Sequence, residues 1–284
     1  PKIVLPKAGQ TWDTALRDPY DRHGHGTGTA AMAVGRNAVS AKTPSALPGG
    51  KLAVAKVGTK DGAIEGDLAA AVRWATDTVH ANVISLSIGS IVPVPAELFR
   101  ETYDAFADAR RKGVLVVVAN GNGWGNAGVL PGDPGWASGY ASSTNAVAVG
   151  ASGAIGLLES TDPEVAAGFS VTSAGIDADN AYVDEGGTSF SAPFVAGFAG
   201  ALVKATRDAG RPVDPARIEQ LLKYAATDTV VPPQFEGYGT LSLAELAGAQ
   251  AHARAGTLPT RPSPDLSGMY VEQVAGTLRS AWSD

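Results

Sequence analysis

Residues 186–197 read Gly-Gly-Thr-Ser-Phe-Ser-Ala-Pro-Phe-Val-Ala-Gly, and this stretch is the most informative one in the chain. Its central serine, Ser189, lies among small residues and directly before an apolar run with helical spacing. The two glycines let the backbone turn sharply and leave room for a substrate to approach the hydroxyl. A serine at the start of a helix is more often a cap than a nucleophile, so this stretch alone only suggests catalysis.

Two more segments carry the same kind of signal. Residues 22–30 read Arg-His-Gly-His-Gly-Thr-Gly-Thr-Ala, and residues 119–123 read Ala-Asn-Gly-Asn-Gly. Together with residues 186–197, in this order along the chain, they resemble the motifs of the subtilisin-like serine proteases. The resemblance runs from about residue 18 to residue 248, which is most of the chain. It implies a subtilisin-like fold and cleavage of peptide or protein substrates through an acyl-enzyme intermediate.

Strand and helix patterns alternate through most of the sequence. Buried strands are predicted at residues 51–57, 81–87, 114–118 and 145–150. Helices are predicted at residues 28–34, 68–80, 97–112, 191–208 and 214–222. Strands interleaved with helices favour an α/β fold with a central, mainly parallel sheet and helices on both faces. In such a sheet the functional groups lie at the carboxyl ends of the strands, and all three motifs fall at such places.

Composition excludes several classes of function. The chain has 284 residues and a formal charge of −6, which gives no electrostatic reason to expect nucleic acid or an anionic membrane as a partner. It has no cysteine, so disulfides, thiolate catalysis and cysteine-based zinc sites are excluded. No apolar run approaches the roughly 20 residues that a membrane-spanning helix needs.

The division of the chain and its origin are also predicted. We expect residues 1–255 to form the catalytic domain and residues 256–284 to form a Pro- and Ser-containing tail, with a short helix at residues 269–282. The sequence starts at Pro1 without an initiator Met or a signal peptide, so we expect a processed or truncated product. The resemblance alone implies secretion, to the cell envelope or the extracellular space.

The resemblance assigns the catalytic residues. Ser189 matches the nucleophile and His25 the general base, for which an imidazole is suited because its ordinary pKa, about 6.5, is close to working pH. Asn122 matches the donor of a side-chain hydrogen bond to the oxyanion, with the Ser189 N–H as second donor. Asn120 competes for the donor role, but the Gly-Asn-Gly spacing favours Asn122. Ser191 is expected to face away from His25 and to stabilise the start of the helix.

The substrate groove is assigned in the same way. By resemblance, the wall at residues 87–89 pairs with the substrate backbone as an added strand would. The facing wall, which begins at residue 119, borders the first specificity pocket. The residues implied are Ser87, Ile88, Gly89, Ala119, Asn120 and Gly121. Gly123 stands where several relatives carry a carboxylate, which points to uncharged side chains next to the cleaved bond.

The family's catalytic aspartate has no counterpart in this sequence. It ends an early strand, in an Asp-Ser/Thr-Gly context about thirty residues before the histidine, and only 24 residues precede His25. One explanation is an aspartate on a cleaved N-terminal segment that stays associated, or on a part missing from the sequence. A second is a relocated carboxylate, from Asp13 or Asp21. A third is an impaired relative that binds peptides or partners through the groove.

The sequence also bears on an esterase function and on metal binding. An esterase would use the same catalytic logic, but the Gly-x-Ser-x-Gly elbow is absent, so this function ranks below the others. No cofactor is required for the chemistry, although the resemblance implies that structural calcium can be bound. Scattered loop acids such as Asp61, Asp67, Asp133 and residues 177–180 are usually just solvated, so no metal site is assigned.

Overall fold

The structure is a computed structural model, and it covers most of the chain in several ranges. It describes residues 20–36, 45–58, 67–89, 99–122, 139–141, 143–152, 163–168, 170–229, 236–260 and 262, together with the backbone of residues 2–4. The predicted helix at residues 269–282 lies outside these ranges. The predicted division at residue 255 therefore stays a prediction.

Eight strands and six helices are present in these ranges. The strands are β1 (Lys2–Val4), β2 (Ala53–Ala55), β3 (Val83–Leu86), β4 (Leu115–Ala119), β5 (Val147–Ser152), β6 (Val165–Gly168), β7 (Ser170–Ala174) and β8 (Tyr182–Gly186). The helices are α1 (His25–Val34), α2 (Leu68–Asp77), α3 (Arg100–Arg111), α4 (Thr188–Asp208), α5 (Pro215–Ala225) and α6 (Leu243–Ala255).

The central sheet is parallel, as predicted. Its order is β3-β4-β5-β6, and all three pairings in it are parallel. The strands therefore end at one common edge, where the segments that follow β3 and β4 lie side by side. Two smaller sheets accompany it: β1 pairs with β2 in parallel, and β7 pairs with β8 as an antiparallel hairpin.

Helices cover both faces of the central sheet because β4 is apolar on both sides. Val116 and Val118 pack with the inner residues of α2 and α3, including Phe106. Val117 packs on the opposite face with Phe198 and the rest of α4, which α5 and α6 cover. The predicted α/β class, with a parallel sheet between two helical layers, is confirmed.

Helix α4 begins three residues earlier than the apolar pattern predicts. Gly187 has φ 103°, a conformation that favours glycine, and it turns the chain out of β8. The N–H of Phe190 donates to the carbonyl of Gly187 over 3.0 Å, which closes the first turn. The helix therefore starts at Thr188, and Ser189 lies within its first turn rather than before it.

Candidate active site

The predicted nucleophile lies at the junction of β8 and α4. Ser189 is half-buried, and its neighbours Thr188 and Phe190 are almost fully buried. A Cβ on Gly187 would lie only 2.9 Å from Asn122 Nδ2, so a side chain there would displace that amide. The glycine is therefore required both by its backbone angle and by the close approach of Asn122.

Asn122, the predicted oxyanion donor, is held by the residue before the predicted nucleophile. The backbone N–H of Thr188 donates to Asn122 Oδ1 over 3.0 Å, and the Thr188 hydroxyl donates to the same oxygen over 3.2 Å. That hydroxyl also accepts from the N–H of Gly121 over 3.1 Å. Because Oδ1 is engaged on one side of the amide, Nδ2 is oriented as a donor on the other. Sequence reasoning did not assign a role to Thr188, although its position directly before Ser189 was a signal.

The two segments predicted to line the groove follow neighbouring strands, β3 and β4. The Ser87 hydroxyl donates to the carbonyl of Ser189 over 2.6 Å, which ties the end of β3 to the nucleophile turn. Ile88 is half-buried and Gly89 is exposed. In the other segment Ala119 and Asn120 are buried, and the Asn120 N–H donates to the carbonyl of Val149. Gly121 is half-buried, and Gly123 lies outside the described residues.

His25 is the first residue of α1, and Gly24 before it has φ 95°. The imidazole is half-buried and lies edge-on to the Phe190 ring, with 5.6 Å between the ring centroids. Burial lowers the pKa of His25, and the neighbouring His23 lowers it further. The carboxylates of Glu185 and Asp21 oppose this and raise it, but the pKa remains below its ordinary value.

Asp21 is engaged by its own loop. Its carboxylate accepts hydrogen bonds from the N–H groups of His23, Gly24 and Thr27, and from the Thr27 hydroxyl. Burial would raise the pKa of Asp21, but these bonds outweigh it and hold the pKa below its ordinary value. The carboxylate therefore shapes the turn into α1. Asp13 lies outside the described residues.

Ser191, two residues after the nucleophile, is directed away from it. Its hydroxyl lies 3.2 Å from the carbonyl of Ala167 and 3.0 Å from that of Gly168, both at the end of β6, and 3.5 Å from that of Gly187. It ties α4 to the central sheet. This agrees with its expected orientation, although the bond joins the helix to a strand and does not cap the helix.

The described ranges do not fit a metal site. No group of three or more His, Asp or Glu side chains there could hold an ion. Asp67 instead caps α2, accepting from the N–H of Ala70 over 2.8 Å. Asp61 and Asp133 lie outside those ranges. Within the same ranges, no helix is both long enough and apolar enough to cross a membrane.

Comparison with known proteins agrees with the fold and with the resemblance to the subtilisin-like proteases. The profile of the subtilase family matches residues 7–240. The subtilisin-like protease SBT1.5 of Arabidopsis thaliana is 36% identical over 118 residues, which are 39% of this chain and only 15% of that protein. A mutant form of the protease domain of PatA has the same fold, with a TM-score of 0.70 at 20% identity, over 91% of this chain and 90% of that one. The chain belongs to the subtilase family, whose members are serine proteases.

Proposed function

We propose that the chain is the catalytic domain of a serine endopeptidase that works through an acyl-enzyme intermediate. The observation that carries the proposal is the convergence of three motifs on one turn. Thr188, directly before Ser189, holds the side chain of Asn122 by two hydrogen bonds. Phe190, directly after Ser189, packs edge-on against the His25 ring. These contacts support the proposal that Ser189, His25 and Asn122 act together as nucleophile, base and oxyanion donor.

In the proposed reaction the Ser189 hydroxyl attacks the carbonyl carbon of the scissile bond while His25 accepts its proton. The oxyanion accepts hydrogen bonds from Asn122 Nδ2 and from the backbone N–H of Ser189. His25 then gives the proton to the leaving amine, and water hydrolyses the acyl-enzyme by the same route. The lowered pKa of His25 keeps the imidazole neutral, and so able to accept a proton, further below neutral pH.

We further propose that the carboxylate that orients His25 comes from a separate segment of polypeptide. Asp21 is the described acid nearest to His25 in sequence, but its two oxygens already accept four hydrogen bonds from the loop. A carboxylate that orients a catalytic histidine must instead accept from the imidazole N–H. The commitment of Asp21 to its own loop therefore supports an outside source.

The sheet offers a position for such a segment between β2 and β3. Among the described strands, β2 pairs with β1 and β3 pairs with β4, but no pairing joins β2 to β3. Every residue of β2 is only half-buried, and β3 includes the exposed Ser85, whereas every residue of β4 is buried. Short apolar strands that remain half-exposed, and that no described strand joins, support one missing strand between them.

The backbone of β3 is oriented to receive that strand. The N–H of Leu115 on β4 donates to the carbonyl of Asn82 over 3.1 Å. In a parallel pair the backbone groups of alternate residues point to opposite neighbours, so those of Val83 and Ser85 point away from β4. A strand added here in parallel would end at the same edge as the active site. Its last residue would then lie where a carboxylate can reach His25.

The proposed function is tested by treating the purified chain with a serine-directed fluorophosphonate and measuring its intact mass. We expect a single adduct that maps to Ser189, absent from Ser189→Ala and retained by the matched control Ser191→Ala. Loss of the orienting carboxylate alone costs about 3 × 10⁴ in turnover in a related protease, so the reaction of the isolated chain is expected to be slow. Asp21→Asn should change its rate less than about tenfold, because only loss of an orienting carboxylate brings a cost near 10⁴.

The added strand is tested on the chain extended at its amino end by a linker and a Val- and Ile-rich strand that ends in Asp-Ser-Gly. A matched version ends in Asn-Ser-Gly. Both should slow hydrogen exchange at the Ser85 amide, and only the aspartate version should accelerate labelling of Ser189, by about 10³–10⁴. If neither version labels Ser189, the endopeptidase proposal fails and a peptide-binding relative is favoured. If labelling is fast while Ser85 exchange is unchanged, the strand position is wrong.

Three finer expectations belong to this proposal. The substrate is a peptide or protein with uncharged side chains next to the cleaved bond, and secretion is expected because subtilases are often secreted. Structural calcium stays a prediction, and no step of the reaction depends on it.

A further inference from the structure

Helix α4 carries a proline, Pro193, in its second turn. In an α-helix the N–H of each residue donates to the carbonyl four residues earlier, and proline has no N–H. The carbonyl four residues before Pro193 belongs to Ser189. The residue that carries the proposed nucleophile therefore has a carbonyl that lacks its usual helix donor, four residues later, and a carbonyl in a largely buried turn needs a donor.

The Ser87 hydroxyl supplies that donor from outside the helix. Its Oγ lies 2.6 Å from the Ser189 carbonyl oxygen, across 102 residues of sequence. Ser87 directly follows β3, which pairs with β4 and packs against α4. The donor is therefore held by the sheet, so it restrains Ser189 relative to the edge on which the substrate groove is built.

We propose that Ser87 is a positioning residue for the nucleophile: its hydroxyl replaces the helix donor that Pro193 removes and so fixes the peptide unit of Ser189 against the sheet. This inference rests on the proposed function of Ser189. It gives the Ser87 side chain a role that is separate from the backbone contact with substrate implied by the resemblance. A displacement of about 1 Å at a reacting group can cost about 10²-fold in rate, so restraint of this residue bears directly on acylation.

A double-variant cycle tests the replacement, because Pro193→Ala restores the N–H that can donate to Ser189. Fluorophosphonate labelling is measured over a range of reagent concentrations, to separate the acylation rate from reagent binding. Ser87→Ala should slow acylation about fivefold, the effect of one lost hydrogen bond, with reagent binding unchanged. In the Pro193→Ala background the same substitution should change acylation less than about twofold, because the helix then supplies the donor.

Two further variants separate positioning from general loss of stability. Ser87→Thr keeps the hydroxyl and should restore most of the acylation rate. Ser191→Ala removes a hydroxyl from the same helix whose shorter bonds are made to β6 and none to the Ser189 carbonyl. It should lower the urea midpoint of unfolding and leave acylation by the folded protein unchanged.

Equal slowing by Ser87→Ala in both backgrounds, or no slowing in either, would overturn the inference. The urea midpoints of the four proteins in the cycle test the hydrogen bond between Ser87 and Ser189 independently of any labelling. Ser87→Ala should lower the midpoint less in the Pro193→Ala background, and additive effects would overturn the replacement.

A coupled cycle in a chain whose Ser189 never labels would overturn the proposed function and the positioning role, but leave the hydrogen bond established. A labelled Ser189 without coupling would overturn this inference alone.

Discussion

The side-chain oxygen of Asn122 lies 3.0 Å from the backbone nitrogen of Thr188 and 3.2 Å from its hydroxyl oxygen. The same hydroxyl accepts from the N–H of Gly121, so one side chain holds both the amide and its loop. The orientation of the proposed oxyanion donor therefore depends on a residue adjacent to the nucleophile.

Replacing that hydroxyl should weaken the oxyanion site without removing it. Thr188→Val keeps the shape of the side chain, and the Thr188 backbone N–H can still bind Asn122. We expect labelling of Ser189 to slow about tenfold. This is less than the loss of about 10²–10³-fold in turnover that follows removal of an oxyanion donor itself. Thr188→Ser, which keeps the hydroxyl, should stay within about threefold of the wild type. Equal rates for the Val and Ser variants of the folded protein would contradict this role.

Gly187→Ala should damage the same site by a steric route. Gly187 has φ 103° and ψ 172°, a region that only glycine enters readily, and its added Cβ would lie 2.9 Å from Asn122 Nδ2. We expect about 1–3 kcal/mol of lost stability from the strained backbone, and labelling slowed at least about 100-fold by the displaced amide. Urea unfolding and labelling measure the two effects. Gly210→Ala is a matched control for backbone strain, because Gly210 also has positive φ but nothing within 4 Å of its added Cβ.

Glu185 should set part of the pH dependence of His25. In the β7–β8 hairpin, Glu185 pairs with Val171, and this face also carries Ser173, whose hydroxyl donates to Gly28 of α1. The face that bears Glu185 is therefore turned towards the helix that His25 begins. Burial and His23 lower the pKa of His25, while Glu185 and then Asp21 raise it.

Removing the Glu185 charge should therefore lower the pKa of His25 further. In Glu185→Gln the rise of the labelling rate with pH should move to lower pH, because labelling needs the neutral imidazole. An NMR titration of the His25 ring should move in the same direction. Asp184→Asn is the matched control, since Asp184 lies on the opposite face and accepts from Thr172. Equal shifts in the two variants would rule out a specific effect of Glu185.

Glu164 should make the protein less stable as pH rises. Burial raises its pKa to about 7, against the opposing effects of the Ala148 N–H and the Lys223 charge. In the native state Glu164 keeps its proton up to a pKa of about 7, whereas in the unfolded state it loses the proton near its ordinary pKa of 4.5. The free energy of unfolding therefore falls as the pH rises from the lower pKa to the higher one. Above this pH range the free energy of unfolding of Glu164→Gln should exceed that of the wild type by about 3 kcal/mol. Urea unfolding of both proteins at pH 4 and pH 8 measures this, and a difference between Glu164→Gln and the wild type that is the same at the two pH values would refute it.

The elements of the fold were largely predictable because their signals are local. The run at residues 114–118 is apolar at every position, and the structure has β4 at Leu115–Ala119. Asp214 before Pro215 predicted a helix start, and the Asp214 carboxylate accepts from the N–H of Ala216. The start of α4 was displaced because the positive φ of Gly187 ends the strand and begins the helix within one residue.

The α/β class, the order of the motifs and the identity of the candidate residues could be read from the sequence, because these follow from short-range pattern and from resemblance. Which polar groups meet depends on the folded chain. Thr188 binds Asn122 across 66 residues, and Ser87 binds Ser189 across 102, when α4 packs against the carboxyl ends of the strands. The commitment of Asp21 to its own loop also appears only there, as does the lack of a pairing between β2 and β3 among the described strands. Hydrogen-bond partners and strand neighbours depend on packing between distant segments, which no local pattern specifies.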